Sequence, residues 1–157
     1  MSFLKKLFGS KSEEKKEQKK ENQNSGQPVP NKNNNARKEM TTEDVIYECV
    51  QVAEENLIAK GYVIIDRRED TMKMPQITTE KDGVKAFVFV GACRNDEEIN
   101  VVFQTEQLSS FMTFAREKQA DCLVVLVNIY DPKQRAEMYF GEPYIYTIKE
   151  QFYPTLN

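Results

Sequence analysis

The sequence predicts an α/β domain, a mixed central sheet of about five strands flanked by helices, behind a disordered N-terminal tail of residues 1–37. Three observations predict it. Phe87–Val90 and Cys122–Ile129 are almost unbroken apolar runs, the pattern of strands covered on both faces. Between them Leu108, Phe111, Met112 and Ala115 recur at helical spacing. The dipeptide Asp82-Gly83 separates two β-prone stretches, which is a hairpin signal.

The elements follow in order. A helix is expected from Thr41 or Thr42, either of which can cap it, with Ile46, Val50, Ala53 and Leu57 as its apolar stripe and Gly61 as its stop. Tyr62–Ile65 reads as a first strand. Residues 74–80 and 84–93 read as the arms of the Asp82-Gly83 hairpin. Asn95–Asn100 is polar. Thr105 is placed to cap a helix over 105–119, and the run 122–129 is the next strand, closed by Asp131-Pro132. Alternation in Ala136–Phe140 and Tyr144–Ile148 around Gly141-Glu142-Pro143 suggests a final hairpin, whose first arm is alternatively a short helix. The chain from Glu150 reads as an irregular end.

Composition bounds the function. Residues 38–157 are enough for one globular domain with its own core. Residues 1–37 carry nine Lys/Arg against four Asp/Glu, a net of +5. Residues 38–157 carry thirteen against twenty-one, a net of −8. An acidic domain is a poor host for phosphate backbones, so nucleic acid is not the expected partner. The chain has no His, which excludes a His-containing zinc site and any His-based catalytic dyad. Cys49, Cys93 and Cys122 form no Cys-x-x-Cys pair and read as small buried residues of a reducing compartment. No apolar run approaches the roughly 20 residues that span a bilayer. The expected location is the cytoplasm, at most peripheral to the inner membrane.

The order and lengths of these elements over roughly residues 42–150 resemble the restriction-endonuclease-like superfamily, named for its PD-(D/E)XK motif. The resemblance is carried by Gly61-Tyr62 leading into a strand, the Asp82-Gly83 turn, and the helix start Thr105-Glu106-Gln107-Leu108. Phe114-Ala115 and Ala120-Asp121, running into an apolar strand, complete it. The resemblance implies an Asp at the start of the second strand and a Glu-x-Lys on the third, the acids holding a divalent metal and the Lys helping to activate water. By spacing these fall at Gln76, Phe89 and Gly91, so all three are missing. A shift of one residue offers only Ile77 or Pro75, and Val88 or Val90. Asp66, Glu80, Asp82, Glu54 and Glu55 are the acids from which a relocated site would be built; as they stand they read as solvated charges at strand ends, turns and a helix.

Other chemistry is thin. Ser109-Ser110 has no His to activate it, and the glycines are isolated, so no phosphate-cradling loop exists. Tyr139, Tyr144, Tyr146, Phe152 and Tyr153 form an aromatic cluster without interleaved Arg, suited to sheet packing or to a partner. The expectation is therefore a non-enzymatic, nuclease-like domain that binds a protein partner, with no cofactor and no metal. Its candidate binding residues are Gln76, Phe89 and Gly91, or Tyr139, Tyr144 and Tyr146. The alternatives are a divergent metal-dependent nuclease or nucleic-acid-binding protein with relocated acids, and an unrelated α/β accessory protein of secretion or stress response.

In the tail, Phe3, Leu4, Leu7 and Phe8 fall at helical spacing with Lys5 and Lys6 opposite them, a short amphipathic start suited to weak contact with a membrane surface or a partner groove. Residues 11–37 are Lys-, Glu-, Gln- and Asn-rich and read as a flexible linker reaching on the order of 30 Å. Each lysine adds about 1 kcal/mol of attraction near an anionic surface. We predict that the full chain co-sediments with anionic liposomes at low salt more than a chain lacking residues 1–9, and that the difference shrinks at physiological salt. Equal partitioning at low salt excludes the membrane contact.

Overall fold

The computed structural model describes residues 38–94 and 96–155, and the amphipathic start and linker lie outside them. Its elements are α1 (Thr42–Ala59), β1 (Val63–Arg67), β2 (Ile77–Lys81), β3 (Val84–Cys93), α2 (Ile99–Val102), α3 (Thr105–Glu117), β4 (Asp121–Tyr130) and β5 (Ile145–Tyr153). The five strands form one mixed sheet in the order β1-β2-β3-β4-β5, as the apolar runs predict. By contact density the chain divides into two units. One takes its described residues from Met1–Val45 and Tyr130–Ile145, the other from Ile46–Ile129 and Tyr146–Asn157.

Within the larger unit, β1, β2 and β3 are antiparallel neighbours, and β3 and β4 are parallel. The β2–β3 hairpin closes at the Lys81↔Val84 pair. Asp82 (φ 53°) and Gly83 (φ 79°) sit between them, both in the left-handed region that a two-residue turn demands. The β3–β4 ladder runs in register from Ala86↔Asp121 to Cys93↔Asn128. Nearly every residue of both strands is buried, because a parallel pair needs a crossover on one face and a cover on the other.

Side chains alternate across a strand, so the two faces separate by parity. Phe87 and Phe89 meet α3 through Phe114 and Phe111, and this core extends to Phe103, Ala115, Cys122 and Val124. The opposite face belongs to α1. Arg67 of β1 pairs with Glu54 at 2.9 Å and lies over the Tyr47 ring, while Glu150 of β5 accepts from Asn56 and Lys60, both at 2.6 Å. Each fully buried Val, Leu, Ile or Phe contributes about 1.5–3 kcal/mol, so these two faces outweigh any surface ion pair at 0–1 kcal/mol.

Helix ends differ from the sequence reading in detail. Thr41 does cap α1: its Oγ1 accepts from the Asp44 N–H at 3.2 Å, and the Asp44 carboxylate accepts from Thr41 N–H at 2.7 Å. The cap of α3 is Gln104 rather than Thr105, with Gln107 Oε1 accepting from Gln104 N–H. The helix stops at Glu117 because Gln119 turns left-handed (φ 56°) and Ala120 N–H donates back to Ala115 O. The second strand begins at Ile77, not at residue 74. Polar Asp96–Glu98 leads into a single helical turn, α2, which carries Ile99 and Val102 onto the core.

The smaller unit corrects the expected final hairpin. Residues 136–140 are neither a strand arm nor a helix. Met138–Phe140 pairs instead with Lys38–Met40: Met40 N–H donates to Met138 O at 2.8 Å and Phe140 N–H to Lys38 O at 2.9 Å. The physical reason is Arg135. It donates to both oxygens of Asp131, at 2.7 and 3.0 Å, and closely to Glu142, which ties the segment into a clamp rather than an extended arm. The strand that does form runs on past Glu150 to Tyr153, where an irregular end was expected.

Arg135 holds the nearly buried Asp131 carboxyl well below the usual carboxylate range, first through their side-chain hydrogen bonds. A depressed native pKa stabilises the folded state above the unfolded value of about 4, and that stabilisation fades as pH falls below it. Asp131→Asn should therefore lower the melting temperature at pH 7, and the gap to wild type should narrow as the pH falls from about 5 toward 2. A gap independent of pH would show that the clamp does not depend on the ionised carboxylate.

Candidate functional site

The positions where a nuclease of the resembled type keeps its acids and lysine lie at the start of β2 and along β3. Gln76 immediately precedes β2, is fully buried, and donates its backbone N–H to Val88 O at 3.1 Å. Pro75, just before it, has no N–H to give, so the ladder against β3 cannot continue through main chain. The Gln76 amide takes over. Val90 N–H donates to Gln76 Oε1 at 2.9 Å, and Gln76 Nε2 donates to Val90 O at 3.0 Å and to Thr71 O at 3.2 Å. One side chain thus supplies β3 with the donor and the acceptor that a further residue of β2 would have offered.

Phe89 and Gly91 point the other way, onto the α2–α3 face. Phe89 stacks on Phe111 with ring centroids 4.2 Å apart and planes at 17°, and meets Phe114 edge-on at 6.3 Å. Phe103 stands edge-on to Phe111 at 5.3 Å. Gly91 makes room for that ring: a Cβ there would lie 2.5 Å from Phe103 Cζ. The sequence reading thus groups three residues that are indeed neighbours in the sheet. Each is already engaged, however, one with main chain and two with a packed aromatic layer.

The acids from which a relocated site would be built stay apart in role. Glu54 is paired with Arg67, Glu80 and Asp82 are exposed on the β2–β3 hairpin, Asp66 is exposed beside an irregularity in β1, and Glu55 is exposed on α1. Among the described residues no three of Asp, Glu, Cys and His converge in a way that can hold a metal ion. All three cysteines are free and buried. Burial pushes every thiol up, Cys122 to about 11, so none is a ready nucleophile at neutral pH.

The aromatic candidates divide into two groups. Tyr139 and Tyr144 line one small cleft with Asp131, Met138, Glu142 and Pro143, and Arg135 lies 5.2 Å above the Tyr139 ring. The cluster therefore does contain an interleaved Arg, which the sequence reading overlooked. The segment is not helical, so the i, i+4 spacing of Asp131, Arg135 and Tyr139 gave no valid signal of this contact. Its guanidinium is taken by Asp131 and Glu142. Tyr146 lies on β5 with Phe152, on one face by parity and each 46% exposed, which makes them the accessible part of the cluster.

The Gln76 bonds predict a sharp ranking. Gln76→Leu keeps the volume and leaves Val90 N–H and C=O buried without partners, at about 1–3 kcal/mol for each group. Gln76→Glu keeps the acceptor for Val90 N–H but sets a carboxylate against the carbonyls of Val90 and Thr71, so it too should destabilise. Gln76→Asn is a methylene short. Chemical denaturation of the three variants should find all of them less stable than wild type. A Leu variant as stable as wild type would remove the amide from the fold's requirements.

No helix among the described residues is long and apolar enough to cross a membrane. No protein of curated function matches the chain significantly. A family profile described as Domain of unknown function (DUF8840) matches residues 43–151, which takes in α1 and most of the sheet up to β5. The aromatic layer, the Gln76 amide and Tyr146 of β5 fall within that span, Phe152 lies just beyond it, and the chain belongs to the DUF8840 domain family.

Proposed function

We propose that this chain is a non-enzymatic, nuclease-like domain that acts by binding a protein partner, carried on residues 11–37 as a linker. The observation that carries the reading is the occupation of the three motif positions. Where a metal-dependent nuclease needs two acids and a lysine around a hydrated cation, this chain has an amide bonded to main chain and a stack of phenylalanine rings. Phe89 and Phe103 are each 2% exposed, so water and a phosphodiester have no room beside them. The excess of acids in residues 38–157 also disfavours a nucleic-acid partner. The contact surface we assign to that partner is the aromatic face of β5, where Tyr146 and Phe152 are half-exposed.

The test is direct. The purified full chain is incubated with single- and double-stranded DNA and with RNA in the presence of magnesium or manganese, and no cleavage above a metal-free control is expected. Metal-dependent cleavage that is lost in Asp66→Ala or Glu80→Ala would overturn the reading and favour a nuclease with relocated acids.

A further inference from the structure

We propose that Tyr153–Thr155 is a strap that closes the cavity between α3 and the start of β4, that Thr155 is its latch, and that it opens as one unit while the rest of the sheet stays folded.

The strap begins where β5 ends. Pro154 follows Tyr153 and has no N–H to give, so the ladder cannot run on past that point. Among the described residues two hydrogen bonds hold the chain beyond Tyr153, and both come from Thr155. Its N–H donates to Asp121 Oδ1 at 2.7 Å, and its hydroxyl donates to Ala120 O. The residues that accept are well fixed. Ala120 N–H donates to Ala115 O where α3 stops, and Asp121 opens β4 in register with Ala86. The latch thus has one rigid side and one side held by a single residue.

Packing under the strap is incomplete. Met112 and Ala115 of α3 and Cys122 of β4 line one side, Tyr153, Pro154 and Thr155 line the other, and about 40 Å³ between them is empty. That is room for two or three water molecules at roughly 10–15 Å³ each. Atoms that border a void lose the contacts that close packing would give them. Tyr153 packs against the aromatic core, but Pro154 and Thr155 add little to it. Few backbone bonds and few apolar contacts mark a segment that opens before the rest of the fold.

Opening acts on Cys122. With the strap closed its side chain is 1% exposed, and burial pushes the thiol up to about 11. With the strap open the thiol meets water and ionises near its ordinary value of about 8.5. The strap therefore decides whether this thiol is inert or reactive. Cys49, buried on α1, does not line the cavity and is the reference for opening of the whole fold.

The experiment is labelling of the full chain with iodoacetamide at neutral pH, followed at each cysteine by mass spectrometry. The thiolate sulfur bonds to carbon, iodide leaves, and the thiol proton passes to buffer. Cys122 should label at least tenfold faster than Cys49. Low concentrations of urea should raise the Cys49 rate steeply and the Cys122 rate little, because a small opening exposes little surface. Thr155→Pro removes both donors of the latch and should raise the Cys122 rate by roughly tenfold or more, with Cys49 within a few-fold of wild type. Cys122 and Cys49 labelling together, with the same urea dependence, overturns the proposal. So does a Thr155→Pro chain in which both rates rise alike, or in which neither rises. The wild-type comparison decides by itself should Thr155→Pro not fold.

Discussion

A parallel pair of strands cannot be joined by a turn, and most of this structure is the consequence of β3 lying parallel to β4. The ladder from Ala86↔Asp121 to Cys93↔Asn128 obliges the chain to leave the sheet after Cys93 and return at Asp121. That crossover is α2 and α3, laid on the face that carries Phe87 and Phe89. With one face so covered, the other residues of both strands must be covered too, and α1 supplies that layer. The remaining strands are attached to this pair: β2 and β1 by antiparallel meander on one side, β5 on the other.

The same constraint decides what the interior can host. A catalytic site at the β2–β3 junction would need polar side chains to reach water from the middle of a sheet covered on both faces. Here that junction is taken up by aromatic packing and by the main-chain bonds of Gln76. Phe89 and Phe103 close the α3 face around Phe111, and Gly91 is small because a ring occupies the space beside it. Polar chemistry on this domain is left to its margins, where the Arg135 clamp lines a small cleft with its guanidinium already taken by two acids and the ion pairs of Lys149 hold a loop.

What the sequence made legible was whatever rests on periodicity or on a local turn. Val84–Cys93 was readable end to end, the 122–129 run to within a residue, and Asp82-Gly83 did form the tight turn it signals. The 136–148 hairpin was not readable. Its alternation is real, but Arg135 meets acids four positions before and seven positions after it, and Met138–Phe140 finds its partner at Lys38–Met40, about a hundred residues away. The end of α3 was also hidden, since Gln119 adopts a left-handed conformation that usually signals itself through Gly or Asn. At the candidate site the three positions were legible as a group. The use of Gln76 was not, because it depends on the backbone of Val90, fourteen residues on, and no side-chain pattern records a main-chain partner.

The Gln76 amide has a consequence for how the sheet holds together at its margin. A strand normally frays from its last main-chain bond inward, one residue at a time. Here the last two bonds to Val90 belong to a side chain whose own backbone is bonded to Val88, so residue 76 grips β3 at two successive positions and releases them together. The end of β2 nearest Pro75 is in effect one residue longer than its main chain. Opening there becomes a single cooperative step set by one side chain's rotamer, instead of the graded unzipping expected at a strand terminus.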